Sequence, residues 1–342
     1  MSPVSLPPGK LPPGLLAELL ARHTSADPRL LVGPRVGEDA AVIDLGDRLL
    51  IAKSDPITFA TDAIGYYAVT VNANDIATMG GTPRWFLATL LLPESGTTDT
   101  LVREIFAQIQ RACEELHITL VGGHTEITVG LDRPILCGHM LGETSRQQLV
   151  TSAGVQVGDA ILLTKGFPLE GIAIIARECA PQLETLGYTA DEIVRLQQFL
   201  FTPGISVVKD AAVLQHAVEV HAMHDPTEGG LATGLWELAQ AAGVGLHVEA
   251  QRLPLLPEGA RLCQAFGLNP LGTIASGSLL ATVPAEQAAQ AIAACAQADI
   301  PCTQIGTVVA DPDTILLCTD TGMQPLPTFP QDEIVKIFSP RE

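Results

Sequence analysis

Apolar and polar residues follow two different periods along this chain. From Leu101 to Leu116 the residues Leu101, Val102, Ile105, Phe106, Ile109, Ala112, Cys113 and Leu116 fall on one face at the helical period, which predicts an amphipathic helix. Short apolar runs between turn residues predict strands instead. Ala40 to Leu45 and Leu49 to Lys53 flank a turn at Gly46-Asp47, and further strands are expected at Trp85 to Leu92, Thr119 to Val121 and Pro134 to Leu141. A short helix is expected from about Leu15 to Arg22, and another runs to Met79, where Gly80-Gly81 with Pro83 beyond gives the stop signal. The second half repeats the mixture. Strands are predicted at Ala160 to Thr164, Val218 to Met223, Ser278 to Val283, 303–309 and 313–318, and helices at 169–178, 204–216, Glu228 to Ala242 and Ala285 to Ala298.

Strands and helices alternate in both halves, so the expected fold class is mixed α/β, not a helical bundle. A chain of 342 residues suggests two domains at ~150 residues each. A Pro/Gly-rich arm over 1–14, an N-terminal domain over 15–146, a linker at the composition shift over 147–158 and a C-terminal domain over 159–342 are the expected divisions.

Charge narrows the partners. With 38 acidic against 19 basic residues the formal charge is -19, which repels a phosphate backbone, and 4% aromatic content offers few surfaces for stacking bases, so nucleic acid is not an expected partner. No apolar stretch reaches the ~20 residues of a membrane helix. Seven cysteines, an odd number with no C-x-x-C pair, read as free thiols in a reducing compartment, and the start of the chain lacks a secretory pattern; a cytoplasmic location is expected.

Four segments place carboxylates or hydroxyls beside glycine at the end of an apolar element. Gly37-Glu38-Asp39-Ala40-Ala41-Val42 precedes a strand and by itself is ordinary turn chemistry. Asp55 ends the next strand, while Asn74 and Asp75 interrupt an otherwise apolar helix. Such polar residues either hydrogen-bond a neighbouring backbone turn or, as Asp39, Asp55 and Asp75 together, converge on magnesium; the residues alone leave both open. Gly122-Gly123-His124-Thr125 lets the backbone turn sharply or approach a ligand, and His124 either donates to a phosphate or caps the loop. Asp225-Pro226-Thr227-Glu228-Gly229-Gly230-Leu231 opens a helix for which Thr227 is the expected N-cap. Glycines in a first helical turn each cost up to ~1 kcal/mol relative to alanine. Bare backbone at Gly229 and Gly230 therefore serves either tight packing or, as favoured from the residues, an anion at the helix N-terminus. His221 and His224, three apart on a strand, point to opposite faces and make no metal pair. There is no G-x-x-x-x-G-K-[ST] loop and no G-x-G-x-x-G turn.

In order, these four segments resemble the AIR synthase superfamily. Asn74-Asp75-Ile76-Ala77-Thr78-Met79-Gly80-Gly81-Thr82-Pro83 and the Asp225–Leu231 segment carry much of the likeness, and Lys165-Gly166-Phe167-Pro168-Leu169-Glu170-Gly171 with Ser276-Gly277-Ser278-Leu279-Leu280 is most similar to its HypE-type branch. The resemblance implies two α/β domains, a homodimer formed through the N-terminal domains, and a cleft for ATP and Mg2+. It implies Asp39, Asp55 and Asp75 as magnesium ligands. Asn74, Gly122, Gly123, His124, Thr125, Asp225, Thr227, Gly229 and Gly230 would then border the nucleotide, with His124, Asp225 and Lys10 as candidate catalytic residues. The chain closes on Phe338-Ser339-Pro340-Arg341-Glu342, where HypE chains carry a terminal cysteine, and has Glu126 where they usually carry lysine. The expected activity is therefore ATP-dependent phosphorylation or dehydration of an unidentified acceptor. A small-molecule kinase like thiamine-monophosphate kinase, or a non-catalytic nucleotide-binding partner in a maturation complex, are the alternatives, and a maturation protein is a further expected partner.

Overall fold

The structure is a computed structural model that describes residues 6, 11–23, 27–34, 39–58 and 62–338. Lys10, Gly37 and Glu38 lie outside the described residues.

The first half runs α1 (Pro13–His23), β1 (Leu30–Val32), β2 (Ala41–Asp44), β3 (Leu49–Ile57), α2 (Ile64–Thr78), β4 (Thr82–Pro93), α3 (Asp99–Glu115), β5 (Thr119–Thr128) and β6 (Ile135–Thr144). Its six strands form one sheet in the order β1-β2-β3-β6-β4-β5. Only β4 and β5 are parallel within it, and α3 supplies the crossover that such a pair requires. The predicted amphipathic face of α3 is buried through Ile105, Ile109, Ala112 and Cys113. The strand expected to stop at Val121 continues through Gly122 and Gly123 to Thr128, so Gly122–Thr125 is extended strand and not a turn. A Cβ on Gly123, which has φ +145°, would lie 1.9 Å from the Ala88 carbonyl oxygen; the glycine is there to let β5 close on β4.

The second half runs β7 (Ala160–Thr164), α4 (Leu169–Glu178), α5 (Ala180–Thr185), α6 (Ala190–Gln197), α7 (Val208–Ala217), β8 (Ala222–His224), α8 (Gly230–Ala242), β9 (Gly245–Glu249), α9 (Pro257–Phe266), β10 (Leu280–Val283), α10 (Ala288–Gln297), β11 (Cys302–Val309), β12 (Ile315–Thr319), β13 (Gly322–Pro325) and α11 (Val335–Phe338). Its seven strands are ordered β13-β12-β9-β11-β7-β10-β8. Two mixed sheets, each covered by helices, bear out the expected α/β class. The connection over 147–158 is held in place: Val150 is buried and donates its N–H to the Met79 carbonyl. Among the described residues no helix is long and apolar enough to cross a membrane, and all seven cysteines are free.

Helix α2 joins the two halves. Ile64, Ala68, Val69, Ala73 and Ile76 pack under the first sheet. Tyr67 packs among residues of α4 and α6, and Ala77 among residues of α7 and α10. A helix enclosed on all sides must satisfy its polar residues internally. Asn74 does so across the junction, donating Nδ2 to the Ile205 carbonyl at 2.9 Å and accepting the Val207 N–H on Oδ1 at 2.8 Å. Lys165 holds the same loop from the other side, with Nζ 2.5 Å from the Ser206 carbonyl and 3.2 Å from Asp210 Oδ2.

Replacing Asn74 by leucine orphans one buried carbonyl and one buried N–H and is expected to lower the unfolding free energy by roughly 2–4 kcal/mol, measured by urea titration. Glu170, buried on α4, gives a pH dependence. Burial raises its carboxyl from the ordinary 4.5 to about 8, against the opposing hydrogen bond from Ser276. The folded chain then holds that proton more tightly than the unfolded one. Its contribution to stability is full below pH 4.5 and is lost as pH rises to about 8. The stability of wild type relative to Glu170→Gln should fall across that window in paired denaturation curves and level off above it.

Candidate functional site

Period-two alternation on β3 puts Ile51, Lys53 and Asp55 on one face, Ile51 sealed in the core and the two charged residues beyond it. Asn72 of α2 fixes the Asp55 backbone, accepting its N–H on Oδ1 at 2.9 Å and donating Nδ2 to its carbonyl at 3.3 Å. Asp75 follows one turn of α2 later and is 5% exposed. Asp39, at the entry to β2, accepts from Thr78 Oγ1 at 3.2 Å. From the second half, β8 ends at His224 and delivers Asp225, which is 2% exposed. Three carboxylates therefore converge: Asp39, Asp75 and Asp225 each offer an oxygen, all within 4.8 Å of one another.

Two cationic side chains balance this centre in part. Lys53 Nζ stands 3.3 Å from Asp55 Oδ2 and 3.3 Å from Asp75 Oδ2. His224 bridges the halves, with Nδ1 3.1 Å from Asp39 Oδ1 and Nε2 2.9 Å from Glu237 Oε2 of α8. Burial disfavours the charged form of both, but Asp75 and Asp55 hold Lys53 protonated, and Asp39 with Glu237 holds His224 so. Burial likewise works against the Asp39 anion, yet the His224 charge and hydrogen bond keep that carboxyl below its ordinary value. The other two acids are not fully balanced. Burial pushes Asp75 well above the carboxylate range; Lys53 pulls against this, while Asp225 and Asp55 add to it. Burial and the Asp39 charge raise Asp225 to about 7. Asp75 Oδ2 faces Lys53 without accepting an aligned hydrogen bond, and Asp225 Oδ2 has no hydrogen-bond partner.

Three carboxylates that bring oxygens within 4.8 Å of one another, two of them buried, fit a hard divalent cation, which takes oxygen donors and completes its shell with waters and phosphates. Of the expected set Asp39, Asp55 and Asp75, the structure brings Asp39 and Asp75 together with Asp225, whereas Asp55 turns to Lys53.

The remaining expected residues divide. Asn74 spends both polar groups on the 205–207 backbone, so the backbone alternative describes it better than a ligand role. Thr227 is not the N-cap of α8; Gly229 is, in the left-handed region, and Thr227 only accepts the Gly230 N–H on its carbonyl. The anion expected at this helix start is the chain's own: Asp332 Oδ2 accepts the Gly229 N–H at 2.6 Å. Gly230 serves packing, since a Cβ there would lie 2.6 Å from the carbonyl oxygens of Leu271 and Thr273. Gly122, Gly123, His124 and Thr125 are exposed on β5. Gly123 shares a row with Ala88, Gly138 and Asp55 across four strands, three strand spacings or roughly 14 Å from Asp55. His124 pairs with Glu126 at 3.0 Å and is not brought to the centre.

Lys53, His224, Glu237 and Asp332 carry the electrostatics and were not singled out by sequence reasoning for these roles. The Lys53-Ser54-Asp55 alternation on a strand was the available signal for the first. His221 and His224 do separate as their spacing requires, His221 pairing with Asp159 at 2.9 Å.

The chain belongs to the AIR synthase related proteins: residues 37–144 match the N-terminal domain of that family and residues 156–318 its C-terminal domain. Among its relatives is the carbamoyl dehydratase HypE of Rhodobacter capsulatus, 31% identical over 271 residues, covering 75% of this chain and 72% of the relative. The selenide, water dikinase of Paraburkholderia xenovorans is 32% identical over 263 residues, covering 75% of this chain and 70% of that one. The crystal structure of hydrogenase maturation protein HypE in complex with ATP has the same fold, with a TM-score of 0.66 at 23% identity over 92% of this chain and 90% of that one.

Proposed function

We propose that this chain binds ATP with Mg2+ at Asp39, Asp75 and Asp225 and uses it to phosphorylate or dehydrate an acceptor in the cytoplasm. The observation that carries the reading is the convergence of three carboxylates, with a buried Asp225 oxygen that accepts no hydrogen bond and a buried Asp75 oxygen that meets only the Lys53 ammonium. A bound divalent ion supplies charge neutralisation for phosphate oxygens. The chain's own residues do the positioning. Thr78 and His224 fix the Asp39 carboxylate, Asn72 fixes the Asp55 backbone, and burial keeps Asp75 and Asp225 out of bulk water. Rigid placement of this kind is what phosphoryl transfer demands, because little covalent chemistry falls to the protein. The reading is supported by relatives named as a carbamoyl dehydratase and a selenide, water dikinase, and by the ATP bound to the structural neighbour. The dikinase likeness keeps a small-molecule acceptor in view. Hydrogenase maturation, the setting named for the structural neighbour, is the setting proposed here.

The homodimer belongs to the same reading. Strand β5 is a sheet edge exposed along nearly its whole length, with Val121 50% and Ile127 61% exposed. An edge of this length, unpaired among the described residues and carrying exposed Val121 and Ile127, is a template for a second chain.

The purified chain should release ADP from ATP in a Mg2+-dependent way when supplied with its acceptor, and Asp75→Asn should lower that rate on the order of 100-fold. Failure of the wild type to bind ATP in any condition, read by calorimetry, sinks the reading. The double substitution Val121→Lys with Ile127→Lys should convert a dimer to a monomer in light scattering; a wild type already monomeric at micromolar concentration removes the dimer.

A further inference from the structure

The acidic centre contains two groupings that share one residue. Asp39, Asp75 and Asp225 meet within 4.8 Å, and Asp55 meets Asp75 across Lys53. The second grouping is already filled. Lys53 Nζ lies 3.3 Å from each of the two carboxylates, and its side chain is only 18% exposed. Strand geometry makes this arrangement hard to avoid, because Lys53 and Asp55 are two residues apart on the face of β3 turned toward α2. The other cation of the centre, His224, is committed to Asp39 and Glu237 and does not reach this pair. Glu237 and Thr78 reach the centre through His224 and Asp39, and Asn72 through the Asp55 backbone.

We infer that Lys53 is a resident cation occupying the place of a divalent ion between Asp55 and Asp75, so that the centre takes one divalent ion, at Asp39, Asp75 and Asp225, instead of two. This rests on the proposed reading of those three residues as a divalent site. The physical reason is competition for the same oxygens. A divalent ion between Asp55 and Asp75 would have to stand beside a buried ammonium at contact distance, and like charges in a poorly hydrated site repel strongly. Removing the ammonium reverses the balance: Asp55 and Asp75 lose their counter-charge and become an open pair of oxygen donors. Lys53 is a positioning residue in this role, since its contacts are to the carboxylates.

The test is the number of Mn2+ ions bound per full-length chain, measured by equilibrium dialysis with electron paramagnetic resonance of free Mn2+. Wild type and Lys53→Arg, which keep the charge, should each bind one ion. Lys53→Met, which keeps the length without the charge, should bind two. Its melting temperature should also rise more on adding Mn2+ than that of wild type. Two ions in the wild type, or one in Lys53→Met at unchanged affinity, overturns the inference while leaving the divalent site intact. No Mn2+ bound by either chain overturns the site reading and the inference together. Should Lys53→Met fail to fold without metal, recovery of the folded chain by Mn2+ but not by equal ionic strength of sodium supports the inference, and equal recovery by both overturns it. The wild-type count stands as a test without any variant.

Discussion

Enclosing a helix on every side leaves its polar residues no water to turn to, and in this protein that constraint falls on α2. Every residue from Asn72 to Thr78 is buried, with apolar neighbours in both halves of the chain. Each polar group must then find a partner inside. Asn72 takes the Asp55 backbone, Asn74 takes the 205–207 loop, and Thr78 takes Asp39 and its own helix at the Asp75 carbonyl. Between Asn72 and Thr78, Asp75 is the residue left with a side-chain oxygen that accepts no aligned bond, while the Tyr67 and Thr70 hydroxyls earlier on α2 also go without a partner. The same burial that docks the two halves therefore creates the unsatisfied acceptor on which the acidic centre is built.

Charge is handled by short bonds between the halves. Asp39 comes from the first half and His224 from the second, and their contact at 3.1 Å fixes one carboxylate by means of the other half's sheet. At the start of α8 the same device appears within the second half, where Asp332 from the C-terminal segment accepts the Gly229 N–H. A carboxylate at a helix N-terminus is favoured by the helix dipole, and here it is supplied internally. Gly229 and Gly230 are consequently glycines of backbone geometry and packing.

Much of this was legible from the residues. The α3 face, the stop at Gly80-Gly81, the hairpin at Gly46-Asp47 and the alternation of strands and helices follow from local periodicity and turn chemistry, and they appear in the fold. The helices over 180–197 and 257–266 and strand β9 were not expected, because their partners are distant in sequence and their own apolar patterns are short. At the site, Asp39 and Asp75 were placed together by resemblance, and Asp225 was identified without its place beside them. That proximity depends on how two sheets dock, which no spacing encodes. Asn74 was open between two uses, and only the position of Val207 decides it. Gly122-Gly123 was open between a sharp turn and a close approach to a ligand, because paired glycines permit both; the close approach of β4 makes the same residues a strand.

The two halves are thus joined by the very groups that make the centre, and this has an energetic consequence. Burying Asp75 and Asp225 disfavours the folded state unless a cation meets them, since both carboxyls are pushed upward by loss of water. Apolar packing of α2 against α7 and the Asn74 clamp offset that cost. Docking of the halves is therefore driven by apolar area, amide hydrogen bonds and the Asp39–His224 pair, while Asp75 and Asp225 work against it. On the proposed reading, a divalent cation bound there would change the sign of their contribution, because carboxylates that repel one another would become ligands of a common charge. Ligand binding and docking of the halves would in this way be coupled through Asp75, which belongs to the buried helix and to the acidic centre alike.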